Sequence, residues 1–308
     1  MRDRYLYLII LALIIVAPLF LRSIIVTEIL IFSLVAVANN LMLGFTGMLS
    51  FGQAMFFGIG AYVAGLLAVH FQLPLILILP IVFIGVGAFT ALIGYFCVRR
   101  VGLYFIMITF AFNQMFYFIA YSWTTLTGGE DGLPGVHRPE LLKDDTHFYI
   151  FVIVLFFVAL VLMKRIVDSP LGRLFQAVRD NPDRAEATGH NVALIKLTCF
   201  TIAGAFTGLA GGVYAFLFQY VPIDAIHWLT SGDIVFMTLI GGSGSFFGPL
   251  LGAAFFIWLR ETVSLFWDRW PLIVGVTFAL VVLYLRGGVV DIIRYLFDRL
   301  TARRQVSR

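Results

Sequence analysis

Residues 164–196 read KRIVDSPLGRLFQAVRDNPDRAEATGHNVALIK, a polar island between long apolar runs. Within it, Asn181 is placed to cap a helix by accepting from orphan backbone amides, and Pro182 suits the first helical position, where no amide donor is needed. Asp183 puts negative charge in the first turn, and Gly189 supplies a left-handed stop. The stretch Pro182–Thr188, with Arg184, Ala185, Glu186 and Ala187 between, therefore predicts a self-contained helix of about two turns, roughly 10 Å long. Two readings stand side by side. The helix is a plug for another protein's socket, or it is a loop helix resting on lipid headgroups.

Working outward, the composition is that of a membrane protein. Hydrophobic residues make up 61% of the 308 positions, charged residues 12%, and the mean hydropathy is +0.99. Soluble domains carry about a quarter charged residues, so the chain reads as an all-α polytopic membrane protein forming one transmembrane domain over 1–308. The net charge of +4 is spread over loops and tails with no basic patch, which excludes nucleic acid as a partner and leaves the lipid bilayer.

Tyr5–Leu21 follows Arg2 and Arg4 and ends in Pro18, Leu19 and Phe20 rather than a small-residue cleavage site, so it is expected to be a retained first span. Further apolar runs are Ile24–Leu43, Ala54–Val69, Pro74–Val98, Gly102–Ser122, Phe148–Met163, Leu197–Tyr220, Asp233–Leu259 and Pro271–Leu285. At roughly 20 residues per crossing this predicts about ten membrane segments. An inner amino terminus leaves outside only five of the 21 Lys and Arg residues, Arg22, Arg138, Lys143, Arg260 and Arg269. Residues 164–196 and both termini are then cytoplasmic, and the acidic loop 123–147 is external.

Parity adds a constraint. The basic carboxyl tail belongs inside only if Asp233–Leu259 enters and leaves on the same side. Gly241, Gly242, Gly244 and Gly248, with Pro249, sit in its middle and predict a glycine-broken pair of half-spans. Irregular backbone at membrane depth survives where protein shields it or where it lines a cavity, so this break is a translocation-pathway candidate; close helix packing is the competing reading. A second glycine-rich stretch, residues 44–62, holds Gly47, Ser50 and Gln53, preceded by Asn39 and Asn40. Asn113 and Gln114 lie within the fifth span. Each of these either lines the pathway or glues helices together. Glu28, near the outer end of the second span, either reaches the headgroups or is a functional carboxylate at membrane depth, and its place near the interface favours the headgroups.

Other chemistries find no support. The five histidines are dispersed without HExxH spacing, so no metal site is expected. Cys97 and Cys199 read as apolar fillers rather than a disulfide. No proton relay, arginine ladder or potassium filter occurs, and none of Lys143, Lys164 and Lys196 follows a glycine, so there is no phosphate-cradling loop. The chain itself has no catalytic residues and carries no cofactor; an ATPase, if one drives it, is another chain.

Four blocks in order are specific: NNLMLGFTGMLSFGQAMFFGIGAY (39–62), GLYFIMITFAF with LTGGEDGLPGV (102–112, 126–136), SPLGRLFQAVRDNPDRAEATGHNV (169–192) and GGSGSFFGPLLGA (241–253). In these the chain resembles the permease subunits of branched-chain amino-acid ABC importers, of the LivM type, over nearly its whole length. The resemblance implies a bacterial inner-membrane permease, paired with a second homologous permease, two cytoplasmic ATPases that carry ATP and Mg, and an external substrate-binding protein. It also implies that Pro182–Gly189 is the helix coupling the permease to an ATPase, with Asp183 where such helices most often have Glu. Urea or short-chain amide importers share the pattern, and a stand-alone carrier or channel is the alternative from another class.

Overall fold

The computed structural model describes residues 22–267 and 269–284. The expected first span Tyr5–Leu21, the carboxyl tail and both chain ends lie outside the described residues. The described chain is helical: α1 (Ser23–Asn40), α2 (Gln53–His70), α3 (Leu75–Cys97), α4 (Leu103–Ser122), α5 (Asp145–Asp168), α6 (Pro170–Asp180), α7 (Pro182–Ala187), α8 (Val192–Phe218), α9 (Trp228–Gly241), α10 (Gly248–Ser264) and α11 (Trp270–Tyr284). Six of these, α1 with its π-helical extension Leu41–Phe45, α2, α3, α4, α5 and α8, are long and apolar enough to cross a membrane at 18 to 27 residues. The predicted count of about ten segments is thus represented among the described residues by six full-length candidates and shorter apolar helices.

The core forms where small residues let backbones touch. α8 packs against α1, α2 and α3. A Cβ on Gly60 of α2 would collide with the Gly208 carbonyl of α8, and one on Gly211 with the Phe57 carbonyl. Lipid tails are as apolar as leucine, so helices in a bilayer associate through such close van der Waals contact rather than through burial from water. Phe56 and Phe105 meet Phe200 edge-on around the crossing. Cys97 and Cys199 are both buried thiols, as their filler reading expects.

The polar island is not a loop. α5 runs past the expected Met163 to Asp168, its last turn tied by Lys164 Nζ to Asp168 Oδ1 at 2.6 Å. α6 and α7 follow, so almost every residue from 164 to 187 is helical. Both breaks have the same cause. A residue before proline is pushed from helical to extended backbone, and Ser169 and Asn181 are both extended before Pro170 and Pro182. α6 is amphipathic, burying Gly172, Phe175 and Val178 on one side while Arg173, Gln176 and Arg179 are exposed.

At the opposite face, the 123–144 segment is clamped rather than free. β1 (Leu133–Pro134) pairs antiparallel with β2 (Tyr220–Val221), directly after α8. Buried Arg138 donates from Nε to the Phe216 carbonyl at 2.8 Å and from Nη2 to that of Leu217 at 2.7 Å, meeting the orphan carbonyls at the end of α8. Its Nη1 pairs with Asp145 at 2.7 Å, and its guanidinium covers the Phe148 ring.

The broken segment is a helical hairpin. α9 and α10 have 14 and 17 residues, about 21 and 25 Å, each short of a 30 Å crossing. They pack antiparallel: Gly241 lies against Gly248, and Gly252 against the Met237 carbonyl. Gly242 turns the chain with φ of +100°, a conformation that glycine adopts without penalty. Because a Cβ at position 252 meets backbone that cannot yield, Gly252→Ala is expected to cost about 1–3 kcal/mol. A lower melting temperature and reduced membrane abundance by immunoblot check this; unchanged values would show that the hairpin tolerates separation.

Candidate functional site

The polar residues singled out from the sequence meet around the start of α2. That start is buried, so its orphan amides need partners from inside the protein. Ser231 Oγ of α9 accepts from the Ala54 amide at 2.9 Å, and Asn113 Oδ1 of α4 accepts from the Met55 amide at 2.8 Å. Asn113 also donates from Nδ2 to the Ile226 carbonyl at 2.9 Å. Ser50 Oγ accepts from the Gly52 amide at 3.1 Å, and Thr207 of α8 donates to Gln53 Oε1 at 2.9 Å. Ser50, Gln53 and Asn113 are all fully buried in this seam.

Asn39 and Asn40 belong to a second contact, between the end of α1 and the hairpin. Asn39 Nδ2 donates to Thr238 Oγ1 at 2.9 Å, and Asn40 Nδ2 to the Ser245 carbonyl at 3.0 Å. The Oδ1 atoms of both have no partner among the described residues, nor does Gln114 Oε1. The two glycine-rich stretches thus meet in space: a Cβ on Gly44 would strike the Ser243 carbonyl. Gly241 is filled by packing on Gly248, whereas the space beside Gly244 is open. Half-buried Gln114 stands apart from both contacts.

α1 itself ends by unwinding through the π-turn, where Thr46 Oγ1 donates back to the Met42 carbonyl at 2.7 Å. Gly47 follows with φ of +71° and is exposed. Here α6 takes hold: Arg179 Nη1 donates to the Gly44 carbonyl, and its stem lies 3.4 Å from where a Cβ on Gly47 would be. Nothing in the local sequence marks Arg179 for this contact, which joins positions 135 residues apart.

α7 has the caps its sequence predicts. Asn181 Oδ1 accepts from the Arg184 amide at 2.9 Å, and Gly189 has φ of +87°. The amides of Gly189 and His190 return to the carbonyls of Glu186 and Ala185, closing the carboxyl end. Only Ala185 is buried; Pro182, Asp183, Arg184, Glu186, Ala187 and Thr188 are exposed. A cavity of about 740 Å³ runs beside the helix toward Arg99 and Val101 of the α3–α4 turn. Asn191 then caps α8 by accepting from the Leu194 amide at 3.0 Å, a second cap legible in the Asn before Val-Ala-Leu.

Glu28 corrects one expectation. It does not reach out to headgroups but is 5% exposed and paired with Arg260 Nη2 at 2.7 Å. A carboxylate at depth is costly without a partner, and the partner comes from α10, 232 residues on.

Comparison with known proteins adds lineage to this geometry. The sequence model of the family described as "branched-chain amino acid transport system / permease component" matches residues 21–285. The high-affinity branched-chain amino acid transport system permease protein LivM of Escherichia coli K12 is 27% identical over 297 aligned residues, 88% of this chain and 70% of its own length. The autoinducer 2 import system permease protein LsrC of Escherichia coli DH10B is 32% identical over 143 residues, 42% of this chain and 40% of its own. A probable branched-chain amino acid transport permease protein LivM from Methanocaldococcus jannaschii is 23% identical over 145 residues, 44% of this chain and 41% of its own. No solved structure matches the chain.

Proposed function

Because the chain belongs to the family of branched-chain amino acid transport permeases, we propose that it is the membrane subunit of an ATP-driven importer in the bacterial inner membrane. It takes branched-chain amino acids from an external binding protein, alongside a second homologous permease, and two cytoplasmic ATPases with ATP and Mg supply the energy. The observation that carries this reading is α7, an exposed helix capped at both ends and set beside α6, whose Arg179 grips the end of α1. On this reading the face bearing α6 and α7 is cytoplasmic, which agrees with the cation distribution.

The mechanism follows from what each part is built to do. An ATPase dimer that closes on ATP displaces α7, and caps at both ends let so short a helix move as a body. α6 passes the displacement to the end of α1 at Gly44. There the π-turn and the hairpin turn at 242–247 meet, two breaks in the helical backbone. ATP shifts this equilibrium only to the extent that it binds one arrangement of the assembly better than the other. Asn39, Asn40, Gly47, Gly244 and the α2 start are the pathway positions on this reading, with Asn40 and the Ser245 carbonyl as a contact that breaks and re-forms.

Co-purification with the two ATPases, followed by leucine uptake into proteoliposomes, tests the proposal. Gly189→Val isolates the helix. Beyond its chain neighbours nothing among the described residues lies within 4 Å of where its Cβ would sit, so the bundle is spared and the strain stays in the left-handed stop. L residues in that conformation cost about 1–2 kcal/mol, more when β-branched. Normal membrane abundance with uptake reduced about tenfold is expected. Full uptake would sink the assignment of α7, and a chain that brings down no ATPase would favour a stand-alone carrier.

A further inference from the structure

At the face opposite α6 and α7, a cavity of about 540 Å³ opens between α1, α9 and α10. Its size falls within the range of roughly 300–1,000 Å³ common for small-molecule sites. Phe32, Phe57, Tyr214 and Met237 contribute apolar lining, and Asp224, His227, Asp233, Arg260 and Glu261 contribute titratable groups. Arg260 directs Nη2 at Glu28 behind it and at Glu261, 3.3 Å away, beside it. Its Nε and Nη1 make no hydrogen bond among the described residues. Asp233 likewise has no hydrogen bond or ion pair among them, and it lines the same cavity as Arg260.

Asp233 and Arg260 are only partly buried, so water serves them in the open cavity and a ligand that fills it has to replace that water at both groups. A ligand suited to both brings a cation to Asp233 and an anion to Arg260, with an apolar body for the side of the cavity that Phe32 and Met237 line. The excess of carboxylates over guanidinium favours a ligand whose cationic end is compact and able to donate several hydrogen bonds, as an ammonium is.

We propose that this cavity binds a zwitterionic α-amino acid, its ammonium on Asp233, its carboxylate on Arg260 and its aliphatic side chain against Phe32 and Met237. This deepens the importer reading and rests on it: the cavity would be where substrate first enters the membrane subunit. A phosphatidylethanolamine headgroup carries the same pair of charges, so the test separates the two sources.

The full-length chain in phosphatidylcholine nanodiscs is irradiated with photo-leucine and mapped by peptide mass spectrometry. Label on peptides holding Phe32, Tyr214 or Met237 is expected, displaced by leucine but not by N-acetyl-leucine or leucine methyl ester. Asp233→Asn, which removes the charge but no contact among the described residues, is expected to weaken tritiated leucine binding about tenfold or more at unchanged melting temperature. Label elsewhere or nowhere overturns the proposal, as does equal competition by N-acetyl-leucine or unaltered binding by the variant. Loss of labelling when phosphatidylethanolamine is added assigns the cavity to lipid and overturns it too. Leucine uptake by the assembled transporter without label in the cavity removes the site and leaves the importer standing; no uptake by the wild-type assembly removes both.

Discussion

Asn113→Leu is expected to reduce the folded protein in the membrane about tenfold or more, because two buried backbone groups lose their only partners among the described residues. Asn113 accepts from the Met55 amide and donates to the Ile226 carbonyl, and leucine of similar size does neither. Each orphaned group costs about 1–3 kcal/mol, so the pair amounts to roughly 2–6 kcal/mol, where about 1.4 kcal/mol already shifts an equilibrium tenfold. Side-chain bonds between membrane helices average only about 0.6 kcal/mol, since their partners find substitutes. Here the partners are backbone atoms fixed at a helix start and in the α8–α9 connection, so the larger figure applies. Asn113→Asp keeps the acceptor and loses the donor, and is expected to fall between. Thermal melting in detergent and membrane immunoblots read both variants, and a leucine variant that melts like wild type would falsify the capping role.

On the importer reading, Arg179→Ala is expected to separate ATP hydrolysis from transport. The residue lies at the end of α6 with its guanidinium on the Gly44 carbonyl, so its loss leaves the apolar face of α6 and the caps of α7 intact. A hydrogen bond to a charged group contributes about 1.5–3 kcal/mol, enough to account for a tenfold change in coupling at about 1.4 kcal/mol. Uptake per ATP hydrolysed, measured in proteoliposomes, should drop about tenfold while ATPase co-purification is kept. Arg179→Lys, which still donates but without the planar fork, should recover part of the loss. If co-purification disappears together with uptake, Arg179 belongs to the docking surface rather than to the link.

What could be read from sequence alone divides by distance along the chain. The caps of α7 were legible because Asn181, Pro182 and Gly189 each act on neighbours within a few positions. The hairpin was legible because a glycine run in an apolar segment conflicts with both continuous helix and charge parity. α6 was missed because its charges, Arg173, Arg179 and Asp180, outweigh in composition the three residues it buries, although Ser169-Pro170 marks its start. Asn113 could be read only as an amide inside a span, since the atoms it serves lie 58 and 113 residues away. Glu28 was misplaced for the same reason. A carboxylate near a helix end looks solvated until the cation from a distant helix is brought beside it.

The length of α8 has a consequence of its own. Its 27 residues make a rod of about 40 Å, some 10 Å longer than the hydrocarbon it crosses. One end follows α7 after four residues, and the other is held by Arg138 beneath the β1–β2 pair. The crossing with Gly60 at Gly208 divides it into arms of about 24 and 15 Å. A rigid rod turning about that fulcrum is a lever of the first kind. On the importer reading, each ångström of travel at the α7 end would load the clamped loop with about 0.6 Å in the opposite sense, gearing motion down and force up by the inverse ratio.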